Sequence, residues 1–592
     1  MPFVVNITQH SSLNKMSLID WIVLIVTLIA VIAYGIYKST HEKNLDGYFK
    51  GNNSMSWFLI LISIMGTQAS AITFLSAPGQ AYTDGMRFVQ YYFGLPLAMV
   101  VLCITFVPIY HKLKVYTAYE YLEQRFDLRT RTLTSILFLV SRGLSTGISI
   151  YAPSIILSSL MGWNIYITNL VMGGLLIIYT ITGGAKAVAY TQMQQLFIVF
   201  IGMFLAGFMV VHLLPDGVGF TDALQVAGKM GKLNIIETKI DVTDSLWWKD
   251  KYNIWSGVIG GFFLALSYFG TDQSQVGRYL TAKDIKESRI GLLMNGLVKV
   301  PMQFLILLIG ALVFSFYMFY DAPIFFNQAQ LNKASAKAEY TLPLAIHQAK
   351  HDSLNVVSQN QTKQLVEAIH DNNNKQTTIV QHKLEETLKQ KQETRSQTLK
   401  LIKQADKTAD INDTNYIFLY FVTKNLPKGL IGLLIAVIFL AAWGSIAAAL
   451  NSLASSTVID VYKRLWYPNK SDEHYYSASR WITLFWGLFC IATAMFASQL
   501  GSLIEAVNIL GSLFYGTMLG IFVVAFYMKK IGARAVFYAA IIAESGVITV
   551  YIADIVSFLW LNVIGCLFVM IFAQIITWFK TGNNVPVNLT NI

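Results

Sequence analysis

The sequence predicts an all-α, polytopic membrane protein with about 13 transmembrane helices, at roughly 20 apolar residues per crossing. Three observations carry that prediction. Of 592 residues, 55% are hydrophobic and only 13% charged, whereas a soluble domain carries roughly 25% charged residues. Runs long enough to cross a bilayer recur along the chain, and two of them are interrupted by glycine and polar residues. The mean hydropathy of +0.51 implies more apolar surface than a globular core can hide, so lipid is the solvent for much of it. The net charge of +11 then belongs to loops facing anionic lipid, and nucleic acid is not an expected partner. Cys103, Cys490 and Cys566 stand far apart inside apolar runs and imply neither a disulfide framework nor a metal cluster. No His/Glu metal spacing, nucleophile elbow or phosphate-cradling loop is present, so an enzyme is not expected.

The spans cover roughly 18–37, 56–82, 87–110, 132–161, 164–183, 187–214, 253–276, 288–320, 428–462, 479–498, 502–528, 533–553 and 556–579. The first, from Ile19 to Tyr37, is longer than a signal-peptide core and no small-residue cleavage site follows it, so it is expected to be retained. Alternate loops hold 20 Lys and Arg residues, among them Lys38, Lys43, Lys50, Arg125, Arg131, Lys186, Arg278, Arg464 and Lys529. The opposite loops at 162–164, 498–502 and 553–556 hold none. Only 216–251 departs, with Lys229, Lys232, Lys239, Lys249 and Lys251, and longer loops translocate with little regard to charge. The expectation is a multi-pass protein of the cell (plasma or inner) membrane, N-terminus outside and C-terminus cytoplasmic.

Residues 327–412 are different in kind. They are rich in Gln, Lys, Asn and Glu, and no aromatic residue occurs from Thr341 to Asn415. This segment cannot cross a membrane. Leu365, Ile369, Leu384 and Leu388 recur at helical spacing, which fits a solvated helical arm outside the membrane. A disordered insertion fits the composition equally. The chain thus divides into 1–326 (first repeat about 55–215, start of a second about 252–326), the polar extracytoplasmic insertion 327–412, and the remaining transmembrane helices of 413–592.

A helix in lipid satisfies its own backbone, so breaks are tolerated only against protein or a water-filled cavity. The second span contains Met65-Gly66-Thr67-Gln68-Ala69-Ser70-Ala71 and then Ala77-Pro78-Gly79; the seventh contains Gly257, Gly260, Gly261 and then Tyr268-Phe269-Gly270-Thr271-Asp272-Gln273. The two lie five helices apart in chain order. Corresponding interrupted helices in two halves point to a transporter with inverted repeats and a site near the midplane. Each glycine alone serves equally for close helix packing.

With these residues in view, the chain resembles the sodium/solute symporter family over nearly its whole length outside 327–412. The resemblance rests on Leu75-Ser76-Ala77-Pro78-Gly79-Gln80-Ala81-Tyr82, Thr117-Ala118-Tyr119-Glu120-Tyr121-Leu122-Glu123, Thr146-Gly147-Ile148-Ser149-Ile150-Tyr151-Ala152-Pro153 and Gly183-Gly184-Ala185-Lys186. Gly270-Thr271-Asp272-Gln273 and Leu450-Asn451-Ser452-Leu453-Ala454 followed by Asp460-Val461-Tyr462-Lys463 extend it. The Tyr-Glu-Tyr-Leu-Glu and Ile-Tyr-Ala-Pro stretches look closest to the branch with iodide, multivitamin and monocarboxylate transporters. The resemblance implies two inverted five-helix repeats of leucine-transporter type with flanking helices, working by alternating access. It also implies a bound sodium ion, held by the backbone carbonyls of Gly66, Ala69 and Ala441 and the hydroxyl of Ser445. Carbonyls freed by an unwound turn suit a hard cation without burying a carboxylate.

Departures from the family pattern are Gly444 in place of a hydroxyl residue, Gln192 where many relatives have Asp, and Ala447, Ala448 and Ala449 at positions often occupied by serines. A second sodium site is therefore not expected. Candidate solute contacts are Gln68, Thr73, Arg142, Tyr268, Phe269 and Gln273. Thr73 matches the position of a sugar-contacting glutamine and weakens the case for a sugar; Tyr268 and Phe269 resemble an aromatic gate; Gln68 and Gln273 put amides where unpaired ones are costly. Arg142, roughly ten residues into its span, is a functional candidate because intramembrane charges are expensive; attracting an anionic solute, snorkelling to the cytoplasm and pairing with a carboxylate are all open to it. Asp272 is expected to pair with Arg278, and Glu505, Glu544 and Asp554 to be interfacial. The function these features imply is sodium-coupled uptake of a small polar or anionic organic solute. Proton-coupled or uncoupled transport by the same fold remains open, as does a sensor that binds a protein partner through the 327–412 arm.

Overall fold

The computed structural model describes residues 16–38, 54–182, 185–236 and 247–581. Lys43, Lys50, Lys239, Gly183 and Gly184 lie outside the described residues, as do the side chains of Lys38 and Lys186. Among the described residues the regular elements are all helices, apart from one isolated bridge between Met55 and Ala282.

In chain order the helices are α1 Leu18–Lys38, α2 Trp57–Gln68, α3 Ala71–Asp84, α4 Leu95–Ile104, α5 Phe106–Leu113, α6 Tyr119–Arg125, α7 Leu128–Met161, α8 Ile165–Thr182, α9 Ala185–His212 and α10 Phe220–Lys229. The second run is α11 Gly261–Thr271, α12 Gln273–Tyr279 and α13 Ile285–Phe319, then α14 Gln328–Ser335, α15 Ala338–His370 and α16 Asn374–Ala405. It ends with α17 Thr414–Asn425, α18 Leu430–Ser456, α19 Asp472–Ala494, α20 Leu503–Tyr527, α21 Ala533–Ile552 and α22 Phe558–Thr581. Eight helical stretches are long and apolar enough to cross a membrane, and four shorter apolar ones cover Leu18–Val31, Trp57–Gln68, Ile165–Ile181 and Ser256–Thr271. The predicted span 479–498 falls on α19, which belongs to neither group. The multi-pass architecture follows from these helices. The figure of 13 does not follow from length and hydropathy alone.

Both predicted interruptions are present. Ala69 (φ −83°, ψ 85°) and Ser70 (φ −86°, ψ 174°) part α2 from α3, and Asp272 (φ −78°, ψ 115°) parts α11 from α12. The interrupted strip is packed tightly. A Cβ on Gly79 would fall 1.9 Å from the Thr414 carbonyl oxygen, and one on Gly310 would fall 2.1 Å from that of Pro78. Only glycine lets α17 and α13 press this closely on α3, the geometry small residues supply in membrane bundles.

Hydrogen bonds sort the loops into two ends. At one end Arg125 donates to the carbonyls of Ala525 and Lys529, and Lys283 N–H bonds the Met55 carbonyl. At the other, Lys249 pairs with Asp554 at 3.1 Å and Lys251 with Glu505 at 2.9 Å. Asp20 of α1 accepts from the Gly432 N–H at 3.2 Å and from that of Gly429, so it caps the first turn of α18. That cap places the first residues of both helices together.

The 327–412 insertion is ordered helix. α15 and α16 form an antiparallel hairpin, turned at Asn372 (φ 52°), that buries Leu365 and Leu384. The hairpin is docked: Asn355 donates to the Ala322 carbonyl at 3.0 Å, His370 meets Asp222 of α10 at 2.8 Å, and Arg395 pairs with Asp413 just before α17.

Candidate functional site

The broken turn after α2 is built by diverted backbone donors. In a continuous helix the N–H of Ser70 would bond the Gly66 carbonyl and that of Thr73 the Ala69 carbonyl. Instead Ser70 N–H bonds the Gln68 carbonyl at 3.1 Å and Thr73 N–H the Ser70 carbonyl at 3.0 Å. The carbonyls of Gly66 and Ala69, both expected cation ligands, thereby lose their helical donors. Across from them on α18, Ser445 Oγ donates to the Ala441 carbonyl at 2.9 Å, which leaves its lone pairs free. The side chain of Gln192 links the two helices, donating to Gly444 O at 3.0 Å and Thr67 Oγ1 at 3.2 Å. Each of those residues is next in sequence to an expected ligand. Oxygen donors without a carboxylate suit a monovalent hard cation.

A cavity of about 650 Å³, counting the space at its mouth, adjoins this turn and is lined by Gln68, Ser70, Thr73, Arg142, Tyr268 and Tyr515, among others. Four of the six solute contacts read from sequence line it, and two do not. Phe269 is buried beside Tyr268 with ring centroids 5.0 Å apart and is not among the residues lining the space. Gln273 accepts from Ala118 N–H at 3.1 Å and donates to the Tyr116 carbonyl at 2.9 Å, tying α12 to the loop before α6. Neither residue is among those lining this cavity: residues beside a break share its sequence position but need not share its face. Tyr91, Tyr92, Asn508 and Tyr515 line the cavity and were not singled out from sequence. The Tyr91-Tyr92 pair carried a signal in its clustering, whereas Asn508 and Tyr515 sit in an ordinary apolar helix.

Arg142 is the one charged residue among those lining this cavity. Its side chain is 10% exposed, so snorkelling is not its state. Nη2 donates to Ser274 Oγ, Nη1 stands 3.9 Å from Asp272 Oδ2, and the guanidinium carbon lies 5.6 Å from the Tyr268 ring centroid. Tyr268 is held in turn by Gln275 Nε2 at 2.7 Å. Asp272 accepts from Tyr515 O–H and Ser274 N–H, each at 2.8 Å. The expected Asp272–Arg278 pair is therefore corrected. The carboxylate at the second break turns across the bundle to α7 and α20, and Arg278 Nε and Nη1 have no partner among the described residues. Glu505 and Asp554 lie at a helix end as expected, but Glu544 sits mid-way along α21 with both carboxylate oxygens buried.

One end of the bundle is latched. Asp460, following α18, accepts from Arg131 Nε at 2.9 Å, Thr117 Oγ1 at 2.7 Å and Ser456 Oγ at 2.9 Å. Arg131 also reaches Glu123 at 2.8 Å, and Glu123 holds Arg464. This network and the Gln273 contacts tie α7, α12, the loop before α6 and the end of α18 together at the end that carries the Arg125 and Lys283 loops.

The family profile described as the sodium:solute symporter family matches residues 48–347 and 398–543. The chain is 25% identical over 570 residues to the sodium/sialic acid symporter SiaT of Proteus mirabilis, covering 94% of this chain and 95% of that one. It is 31% identical over 258 residues to the human sodium/iodide cotransporter, covering 43% of this chain and 38% of that protein. A solved structure described as a substrate-bound, outward-open state of a Na+-coupled sialic acid symporter shares the fold, with a TM-score of 0.72, 24% identity, and 95% and 98% coverage.

Proposed function

The chain belongs to the sodium:solute symporter family, and from that membership we propose that it brings a small anionic organic solute into the cell together with sodium, by alternating access. The observation that carries the choice of an anion is Arg142. It is the one charged side chain on the cavity wall, and its Nε has no partner among the described residues. A guanidinium presents forked donors that match a carboxylate. Asp272 stands behind it, buried and engaged by Tyr515 and Ser274, so it steadies the guanidinium without occupying the cavity. Gln68, Thr73 and the tyrosine hydroxyls offer neutral hydrogen bonds around that charge, which suits an acid carrying further polar groups. Sialic acid and iodide, in the names of two relatives, are both anions.

Sodium is the coupled ion. Its ligands in this reading are the carbonyls of Gly66, Ala69 and Ala441 and Ser445 Oγ, one turn from the solute. The ion joins α2 to α18 and its charge offsets that of the solute. The Arg131–Asp460 network is the inner latch, which opens after sodium and solute have bound and the two repeats rock. Thirteen crossings, an outside N-terminus and a cytoplasmic C-terminus place this latch on the inner face and the hairpin of α15 and α16 outside. The test is a panel of labelled monocarboxylates, vitamins, sugars and sialic acid in proteoliposomes. Acids entering only with sodium support the reading; uptake of a neutral sugar in preference to every acid overturns it.

A further inference from the structure

The second break leaves a buried guanidinium without a counter-charge. Arg278 stands on α12 four residues after Ser274, so the two share a face of that helix, and Ser274 is the residue whose hydroxyl accepts from Arg142. Arg278 is 4% exposed, and its Nε and Nη1 have no hydrogen-bond partner among the described residues. No ion pair reaches it among them either: Asp272, the acid of the break, lies beside Arg142 and accepts from Tyr515 and Ser274. A charge buried without a partner is expensive, and a guanidinium kept there calls for an anion at some stage of the cycle.

Arg278 lines a second, smaller cavity of about 380 Å³, counting the space at its mouth, with Tyr116, Gln273, Asn451, Ser452 and Ser455 among the other residues of its wall. In this conformation its free interior amounts to about one water molecule. The neutral donors on the wall are already spent: Ser452 and Ser455 donate to carbonyls of their own helix at 2.8 Å and 3.0 Å, and Gln273 donates to the Tyr116 carbonyl at 2.9 Å. The guanidinium therefore supplies the free donors, and Asn451 Oδ1, which also has no partner among the described residues, adds an acceptor. The wall is made of the loop before α6, α12 and the last turns of α18, the segments that the Gln273 contacts and the Arg131–Asp460–Thr117 network fasten to one another.

We propose that Arg278 is a second carboxylate-binding station, on the exit side of the break: as the latch parts and this cavity widens, the solute's carboxylate passes from Arg142 to Arg278 along the face of α12 that carries Ser274, and leaves from there. The inference rests on the acid-transport reading above and adds a binding site to it. A guanidinium offers a carboxylate a forked pair of donors. Passing the acid between two such forks avoids a stage at which its charge is buried alone. Arg142 then governs the affinity with which the acid is taken up, and Arg278 the rate at which the bound acid moves on.

The experiment reads the charge of this cavity with two thiol reagents of opposite sign. The purified full chain carrying Ser455→Cys and Asp460→Asn is treated with a methanethiosulfonate bearing a sulfonate and with one bearing a trimethylammonium, and the ratio of the two rates is divided by the same ratio for 2-mercaptoethanol. The three native cysteines are buried, and the chain without the Ser455→Cys reporter gives their background. The normalised ratio should favour the sulfonate roughly tenfold, because one charge acts with opposite sign on the two reagents. Arg278→Gln should abolish that preference and Arg278→Lys should keep it, and sodium acetate should slow the sulfonate reaction more than equal sodium chloride does. A normalised ratio of 1 or below with Arg278 in place overturns the proposal even if Arg278→Gln does not fold, as does acetate that protects no better than chloride. In proteoliposomes Arg278→Gln should lower the maximal uptake rate of an acid from the panel about tenfold with KM held within about twofold, the loss of a step after binding. Unchanged kinetics, or a raised KM at an unchanged maximal rate, overturns the proposal. Failure of the parent reading looks different: no acid then enters at all, whatever the two reagents report.

Discussion

Arg142→Gln is the perturbation that reaches furthest into the proposed solute site. Glutamine keeps a polar side chain of shorter reach but removes the charge and the fork. A hydrogen bond to a charged group contributes about 1.5–3 kcal/mol, so affinity for a carboxylate should fall roughly 10–150-fold, at tenfold per 1.4 kcal/mol. The substitution also removes the guanidinium 3.9 Å from buried Asp272. Breaking a buried pair costs about 3–5 kcal/mol at most sites. The cost here should be smaller, because Asp272 keeps Tyr515 O–H and Ser274 N–H at 2.8 Å. The two effects separate in the double variant Arg142→Gln/Asp272→Asn, which should recover thermal stability without recovering acid affinity. Arg142→Lys, which keeps charge without the fork, should fall between wild type and Arg142→Gln. The assay is uptake of a transported acid at matched expression, with melting of the purified variants alongside. An unchanged KM for the acid in Arg142→Gln would refute the assignment.

Ser445→Ala removes one expected ligand and should raise the sodium concentration for half-maximal uptake roughly tenfold, while KM for the solute at saturating sodium moves less; equal sodium curves would count against the site. Asp460→Asn takes the charge away from Arg131, so a Ser455→Cys reporter in the small cavity beside the proposed latch should react faster with a membrane-impermeant thiol reagent applied from the side proposed to be cytoplasmic. Burial and the neighbouring Asp413 push the Asp410 carboxyl, at the foot of the hairpin, up to about 7, against the opposing Asn412 N–H and Lys403. A raised folded-state pKa means that this group's stabilisation is present below its ordinary value of 3.8 and is lost as pH rises through 7. The wild type should therefore melt progressively lower than Asp410→Asn between pH 5 and pH 8, and a constant difference between the two melting curves would contradict this.

Both helix breaks were legible in the sequence because their cause is local. Gly66 to Ser70 is a polar, small-residue stretch within apolar sequence, and lipid tolerates such a stretch only where the backbone finds another use. Arg142 was legible because an ionisable group mid-span is costly wherever it faces. Its partner was not. Sequence proximity favoured Arg278 for Asp272, but the carboxylate at the second break is oriented by Tyr515, 243 positions away. Phe269 and Gln273 lie off the cavity lining for a related reason: a break marks a depth in the membrane, and the rotation of each half-helix decides what faces the cavity. The hairpin of α15 and α16 showed its helical spacing at Leu365 and Leu384. Its polar composition is shared by docked surface helices and disordered chains, and the anchors that decide between them, Asn355 on Ala322 and Arg395 on Asp413, join residues apart in the sequence and carry no spacing signal. Gln192 was noticed as a departure from a family pattern; its grip on Thr67 and Gly444 needed coordinates.

Coupling between sodium and solute is reciprocal, because each must favour the binding of the other by the same factor. The most direct test therefore drives the cycle from the solute side. Proteoliposomes holding the full chain, with equal sodium on both sides and a trace of radioactive sodium, are given an inward gradient of a transported acid. The account predicts that labelled sodium accumulates inside above its equilibrium level while the acid gradient lasts, and that Arg142→Gln abolishes this accumulation at the same acid concentration. Entry of the acid with labelled sodium held at equilibrium would contradict sodium-coupled symport.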